Sequence, residues 1–202
     1  MKFAVIVFPG SNCDHDAYYA LSKILSINVE FVWHKQSSLD SFDAILLPGG
    51  FSYGDYLRTG AIAKYSPIMK EVVRYAGKGF PVIGICNGFQ ILIESGLLHG
   101  ALIRNKNTKF LSKMISLNVE STSSIFTQNL EKEQSISMPI AHGEGNYQAN
   151  KDTLKKLYDN DCIAFKYTDN YNLNGSVENI AGILNKKKNI LGMMPHPERA
   201  CE

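Results

Sequence analysis

Cys86, His196 and Glu198 are the residue types that serve as nucleophile, base and orienter in covalent catalysis. Cys86 stands in Gly84-Ile85-Cys86-Asn87-Gly88-Phe89-Gln90, between a strand-like run from Pro81 to Ile85 and a short helix that ends at Gly96. A nucleophile on so sharp a turn needs small residues two places to either side, and Gly84 and Gly88 supply them. The same logic underlies the G-x-S-x-G elbow, here with sulfur in place of oxygen. The turn projects Cys86 from the carboxyl edge of the sheet, and the helix N-terminus beneath it favours a thiolate. A buried structural cysteine is the competing reading.

A thiol nucleophile needs a base, and the sequence has five histidines. His15, His34 and His99 lie in polar or turn-like contexts and read as exposed. His142 belongs to His142-Gly143-Glu144-Gly145, a loop to which no chemistry is assigned for His142 or Glu144. His196 follows a buried strand in Met194-Pro195-His196-Pro197-Glu198. Pro197 biases His196 to an extended backbone, in which residues two apart point the same way. Glu198 can then hold one imidazole nitrogen while the other faces a nucleophile. A rigid surface turn is the alternative. Cys86 and His196 are 110 residues apart, so only the fold can join them. An acyl transfer also needs an oxyanion hole. The backbone N–H of Asn87 is one donor, and Gly50, closing Pro48-Gly49-Gly50, is placed to be the second; an ordinary Pro-Gly-Gly turn is the other reading.

The elements that must position these residues follow from periodicity. Phe3 to Val7 reads as a buried parallel strand, broken at Pro9-Gly10-Ser11, after which Asn12 can cap a helix whose apolar residues Ala17, Ala20, Leu21 and Ile24 fall on one face. Val29 to Trp33 and Ala44 to Leu47 are further strands. Ser66-Pro67 opens a helix with Ile68, Val72, Val73 and Ala76 inward. In the second half, Ile115, Leu117 and Val119 alternate with polar residues, as do Ile136, Met138 and Ile140, the pattern of half-exposed antiparallel strands. A helix near Asp152 to Tyr158 precedes strands at Ile163 to Tyr167, Ile180 to Leu184 and Ile190 to Met194, with a solvated hairpin turn at Asn185 to Asn189. The expected architecture is a single α/β domain over residues 1–202, a doubly wound, mainly parallel sheet with an antiparallel extension and a flavodoxin-like core.

Composition narrows the function. The 202 residues are 45% hydrophobic and 20% charged, with a formal charge of +2, which excludes disorder and offers no electrostatic case for a nucleic-acid partner. No apolar run approaches the ~18 residues of a membrane span, and the N-terminal run is too short for a signal peptide. The four cysteines form no C-x-x-C, so no metal site is expected, and the chain reads as cytoplasmic and reduced.

Pro48-Gly49-Gly50, Gly84-x-Cys86-x-Gly88-x-Gln90 and His196-x-Glu198, in that order, resemble the motifs of class I (triad) glutamine amidotransferases, across essentially the whole chain. Gly50-Phe51-Ser52-Tyr53-Gly54-Asp55-Tyr56-Leu57-Arg58, Ala141-His142-Gly143-Glu144-Gly145 and Met193-Met194-Pro195-His196-Pro197-Glu198-Arg199 are similar to the branch that serves phosphoribosylformylglycinamidine synthases in purine synthesis. The resemblance implies a glutaminase: Cys86 attacks the glutamine side-chain amide, and His196, oriented by Glu198, moves the proton. Gly50 and Asn87 then stabilise the oxyanion, and Gln90 helps hold L-glutamine. It implies no cofactor on this chain. The partners would be a large synthetase subunit carrying ATP and Mg²⁺ and a small accessory subunit, with Arg58 and the Tyr53–Tyr56 loop as contact or gating residues. Relatives continue past His-Pro-Glu into another helix, whereas this sequence stops at Glu202, and Leu173 replaces a frequent proline. No phosphate-binding G-x-x-x-x-G-K-[ST] or G-x-G-x-x-G occurs. The glutaminase of another class I amidotransferase, a cysteine hydrolase of similar fold and a non-catalytic subunit are the other readings.

Overall fold

The computed structural model describes residues 1–168 and 171–201; Glu202, where the sequence stops, lies outside the described residues. Strand β1 (Lys2–Val7) leads into helix α1 (Asp14–Tyr19), which continues as a π-helical turn over Ala20–Ile24. Strands β2 (Asn28–Trp33) and β3 (Ala44–Leu47), helix α2 (Pro67–Gly77), strand β4 (Val82–Ile85) and helix α3 (Asn87–Glu94) complete the first half. The second half holds β5 (Ala101–Ile103), β6 (Leu111–Val119), β7 (Ser135–His142), β8 (Asn146–Gln148), α4 (Lys151–Asp159), β9 (Ile163–Tyr167), β10 (Ile180–Leu184) and β11 (Ile190–Met193).

Nine strands form one sheet in the order β2-β1-β3-β4-β11-β10-β9-β6-β7. The first five are parallel, and from β11 outward each pair is antiparallel. The expected doubly wound sheet with an antiparallel extension is therefore present. The chain moves one way from β1 through α1 to β2 and the other way from β3 through α2 to β4. Right-handed crossovers then place α1 and α2 on opposite faces. Central strands buried on both sides explain the unbroken apolar runs: β3, β10 and β11 are buried at every residue. Strand β7 instead alternates, burying Met138, Ile140 and His142. The strand order reverses between β1 and β3, where open α/β sheets bind ligands.

Several local expectations change. Asn12 does not cap α1; Cys13 holds that position without a side-chain cap bond, and Asn12 Oδ1 accepts from the Cys13 thiol at 3.6 Å. Ser66 precedes Pro67 as expected, but its hydroxyl lies 2.8 Å from the Tyr53 hydroxyl instead of capping α2. His34, expected to be exposed, is buried, with its Nδ1 2.8 Å from that same Tyr53 hydroxyl. Ile24, in the π-helical turn, and Val73 face outward, and Met69 and Tyr75 take the inner face of α2 beside Ile68, Val72 and Ala76. The two-stranded sheet of β5 and β8 was not readable, since three-residue strands carry too little periodicity.

Candidate active site

The positions of Cys86 and His196 follow from neighbouring parallel strands. β4 and β11 pair in register, with Met193 opposite Ile85, so both chains leave the sheet side by side at its carboxyl edge. Cys86 is the next residue after β4, and His196 follows β11 after Met194-Pro195. Cys86 has φ 51° and ψ −106°, a conformation an L-residue adopts at a cost of roughly 1–3 kcal/mol. The elbow glycines explain how that turn closes. A Cβ on Gly84 would lie 2.6 Å from the Gly88 carbonyl oxygen, and one on Gly88 would lie 2.0 Å from the Leu47 carbonyl oxygen. The glycines thus let strand, helix and the neighbouring β3 meet backbone to backbone.

His196 is 1% exposed, and its Nδ1 lies 2.6 Å from Glu198 Oε1. The His–Glu pairing is as expected, but its geometry is not that of a strand. Pro197–Arg199 is a 3-10 turn, and it folds the Glu198 carboxylate back onto the ring. The His196 N–H donates to Pro139 O at 2.9 Å, which fastens the turn to β7. Burial works against a charged imidazole. The Cys86 sulfur and then the Glu198 carboxylate outweigh it and hold His196 up at about 10. The imidazolium is thus the favoured form of His196, and the Cys86 sulfur that faces it also lies 3.6 Å from the Ala141 carbonyl oxygen. The Cys13 sulfur lies within 4.8 Å of a His196 ring nitrogen, and burial pushes its thiol up to about 12, so it stays neutral and is no rival nucleophile.

Cys86 opens into a cleft of about 270 Å³ whose lining includes Gly50, Asp55, Gln90, Arg104, His142 and Glu144. Gly50 has φ +125°, which only glycine adopts without strain, and it bridges to Ser11 at the strand-order reversal. Asn87 is the first residue of α3, so its N–H has no acceptor within the helix, and its side-chain Oδ1 accepts from Ser52 N–H at 3.2 Å. The two expected oxyanion donors are therefore held by linked loops. Gln90 Oε1 accepts from Asn87 Nδ2 at 2.9 Å, and its Nε2 donates to the Glu144 carbonyl at 2.7 Å.

Arg58 does not line the cleft. It makes a two-pronged ion pair with Glu94 at 2.6 and 2.7 Å, tying its loop to the end of α3. Tyr56 and Leu57 beside it are 75% and 91% exposed. The His142 loop gains a structural explanation. Asn105 Oδ1 accepts from Gly145 N–H at 3.1 Å, and its Nδ2 donates to the Lys109 and His142 carbonyls. That orientation makes His142 Nδ1, also 3.1 Å from Oδ1, a donor. Burial, then the nearby His196, pushes His142 down to about 4, so its ring is neutral. Asp55, expected only as part of the Tyr53–Tyr56 contact or gating loop, instead lines the cleft. Its carboxyl is pushed up to about 6, by burial and then by Glu144, and its Oδ1 has no hydrogen-bond partner among the described residues. A larger cleft of about 630 Å³ touches Glu198, but side chains such as Leu21, Ile45, Ile83 and Ile125 wall it, and Cys86 is not among them.

A cysteine elbow at the edge of such a sheet, set against a buried His–Glu pair, is the arrangement of glutamine amidotransferases. The chain belongs to the CobB/CobQ-like glutamine amidotransferase domain family, which it matches over residues 1–202. More particularly, it is 45% identical to the structure of PurLQS from Thermotoga maritima, with a TM-score of 0.90 over 100% of this chain and 89% of that one. A glutamine amidotransferase from Thermotoga maritima shares the fold at 17% identity, with a TM-score of 0.62 over 98% of this chain and 76% of that one. Among the described residues, no helix is long and apolar enough to cross a membrane.

Proposed function

We propose that this chain is the glutaminase component of a phosphoribosylformylglycinamidine synthase. The observation that carries this reading is the 45% identity to PurLQS across the whole chain, with Cys86, His196 and Glu198 gathered at one sheet edge. L-glutamine enters the 270 Å³ cleft with its side-chain amide at Cys86. Its α-ammonium suits Asp55 and Glu144, and Gln90 braces the wall between them and the elbow. The Cys86 thiolate forms a bond to the amide carbon, and the oxyanion rests on the N–H groups of Gly50 and Asn87. The C–N bond then breaks as the His196 imidazolium gives its proton to the departing ammonia. Water attacks the thioester with His196 as base, releasing glutamate and the thiolate.

Ammonia in neutral water is mostly protonated and non-nucleophilic, so it must pass to its acceptor without release. The acceptor is formylglycinamide ribonucleotide on a large synthetase subunit, where ATP and Mg²⁺ act, with a small accessory subunit completing the complex. Cys86→Ala in the reconstituted complex tests the whole reading. Glutamine-dependent amination is expected to vanish while ammonia-dependent amination persists. Loss of both in a folded complex would make Cys86 an interface residue, and retention of both would remove it from the chemistry.

A further inference from the structure

His196 and Glu198 have a third neighbour for which glutamine hydrolysis has no use. The Cys13 sulfur, a His196 ring nitrogen and a Glu198 carboxylate oxygen all lie within 4.8 Å of one another. Cys13 is 4%, His196 1% and Glu198 9% exposed, so the three donors converge inside the protein. Cys13 arrives from the loop after β1, the other two from the turn after β11. Glu198 Oε2 is buried without a hydrogen-bond partner among the described residues, although Oε1 is engaged by His196. A bare buried carboxylate oxygen is under-satisfied, and a cation is what would satisfy it. The site also has an approach: a cleft of about 220 Å³, lined by Asp16, Tyr19, Glu198, Arg199 and Cys201, opens beside Glu198.

Thiolate, imidazole and carboxylate together are the donor set of a borderline-soft divalent ion, zinc above all. Bonds of about 2.0–2.3 Å to a tetrahedral centre put ligand atoms roughly 3.3–3.8 Å apart, so donors within 4.8 Å of one another need close by at most about 1.0–1.5 Å. Arg199 Nη2 donates to the Cys13 sulfur at 3.2 Å, while its Nε donates to Asp16 at 2.9 Å. An entering cation displaces the first contact, and Asp16 retains the half-exposed guanidinium through the second.

We propose that Cys13, His196 and Glu198 form an inhibitory Zn²⁺ site. Binding exchanges the Cys13 thiol proton for the metal, with no change of oxidation state, and leaves water to fill the fourth position. The inhibition follows from the ligands. Glu198 is drawn from its orienting role, and an imidazole that ligates a cation through one nitrogen no longer cycles through the imidazolium, the acid that protonates departing ammonia. The inference presupposes the glutaminase reading only for its effect on activity. Binding is therefore measured in the full-length Cys86→Ala chain, which also removes the rival Cys86–His196 pair. Cobalt titration is expected to give one equivalent with a sulfur-to-metal charge-transfer band, and zinc to displace it. The Cys13→Ala/Cys86→Ala chain is expected to lose the band and bind zinc at least about 100-fold more weakly. In the complex, EDTA-reversible inhibition by zinc, normalised to each chain's own metal-free rate, is expected to weaken similarly in Cys13→Ala and in Cys13→Ser. Zinc binding that survives loss of Cys13, or vanishes with Cys86 alone, would overturn the site without touching the proposed glutaminase function.

Discussion

Glu198 acts on the reaction through a single contact, its 2.6 Å approach to His196 Nδ1. Glu198→Gln keeps the shape and removes the charge that favours the imidazolium. The turnover of glutamine is expected to fall about 10²–10⁴-fold at saturation with KM little changed. A raised KM with intact kcat would instead make Glu198 a substrate contact. Asp55 is expected to behave in the opposite manner. It is anionic above about pH 6, so KM for glutamine should rise as pH falls through that value, while kcat follows the triad. Asp55→Asn should raise KM about 10-fold or more at pH 7.5 and flatten its pH dependence, as loss of a charge-assisted bond does. An unaltered KM profile in that variant would place the α-ammonium elsewhere.

At the scale of elements, the catalytic geometry depends on backbone contact between β3, β4 and α3. The Cβ of Gly88→Ala would meet the Leu47 carbonyl oxygen at 2.0 Å, and Leu47 is three residues before Gly50. The cost is about 1–3 kcal/mol of overpacking, read as a lower urea midpoint. Activity should fall further than stability, because β3 carries the oxyanion loop with it. A variant with full activity and an unchanged midpoint would show that the elbow tolerates a methyl group. Gly84 also meets backbone, the Gly88 carbonyl oxygen at 2.6 Å, but the 2.0 Å approach at Gly88 is tighter and makes Gly88 the more sensitive of the two.

At the scale of the molecule, the buried histidines set the response to acid. His142 is neutral in the folded chain down to about pH 4 but takes a proton near 6.5 when unfolded. Between those values the unfolded state binds more protons, so stability falls as pH falls, by up to about 3 kcal/mol for this residue. Urea unfolding at pH 7.5 and 4.5 of the wild-type and His142→Gln chains checks this. Asp55, raised from 3.8 to about 6, works with the opposite sign but is common to both chains and cancels. Equal pH slopes in the two chains would show that His142 is not held neutral.

Local patterning already determined much of this protein. The apolar runs of the central strands, the breaks at Pro48-Gly49-Gly50 and Asn185 to Asn189, and the glycines around Cys86 report constraints that act within a few residues of each position. The same short range makes the nucleophile, and the His-Pro-Glu turn, legible as motifs. Tertiary structure alone decided which distant groups share a site. Parallel pairing of β4 with β11 closed the 110-residue gap between Cys86 and His196. Tertiary packing alone brought Cys13, in the loop between β1 and α1, beside Glu198. Asp55 became a cleft residue only through a loop whose Tyr53, Asp55 and Leu57 all have positive φ, which no local propensity would forecast. Side-chain chemistry and periodicity are written along the chain, whereas proximity across the sheet depends on register and crossover, and these are set by the burial of all the strands at once.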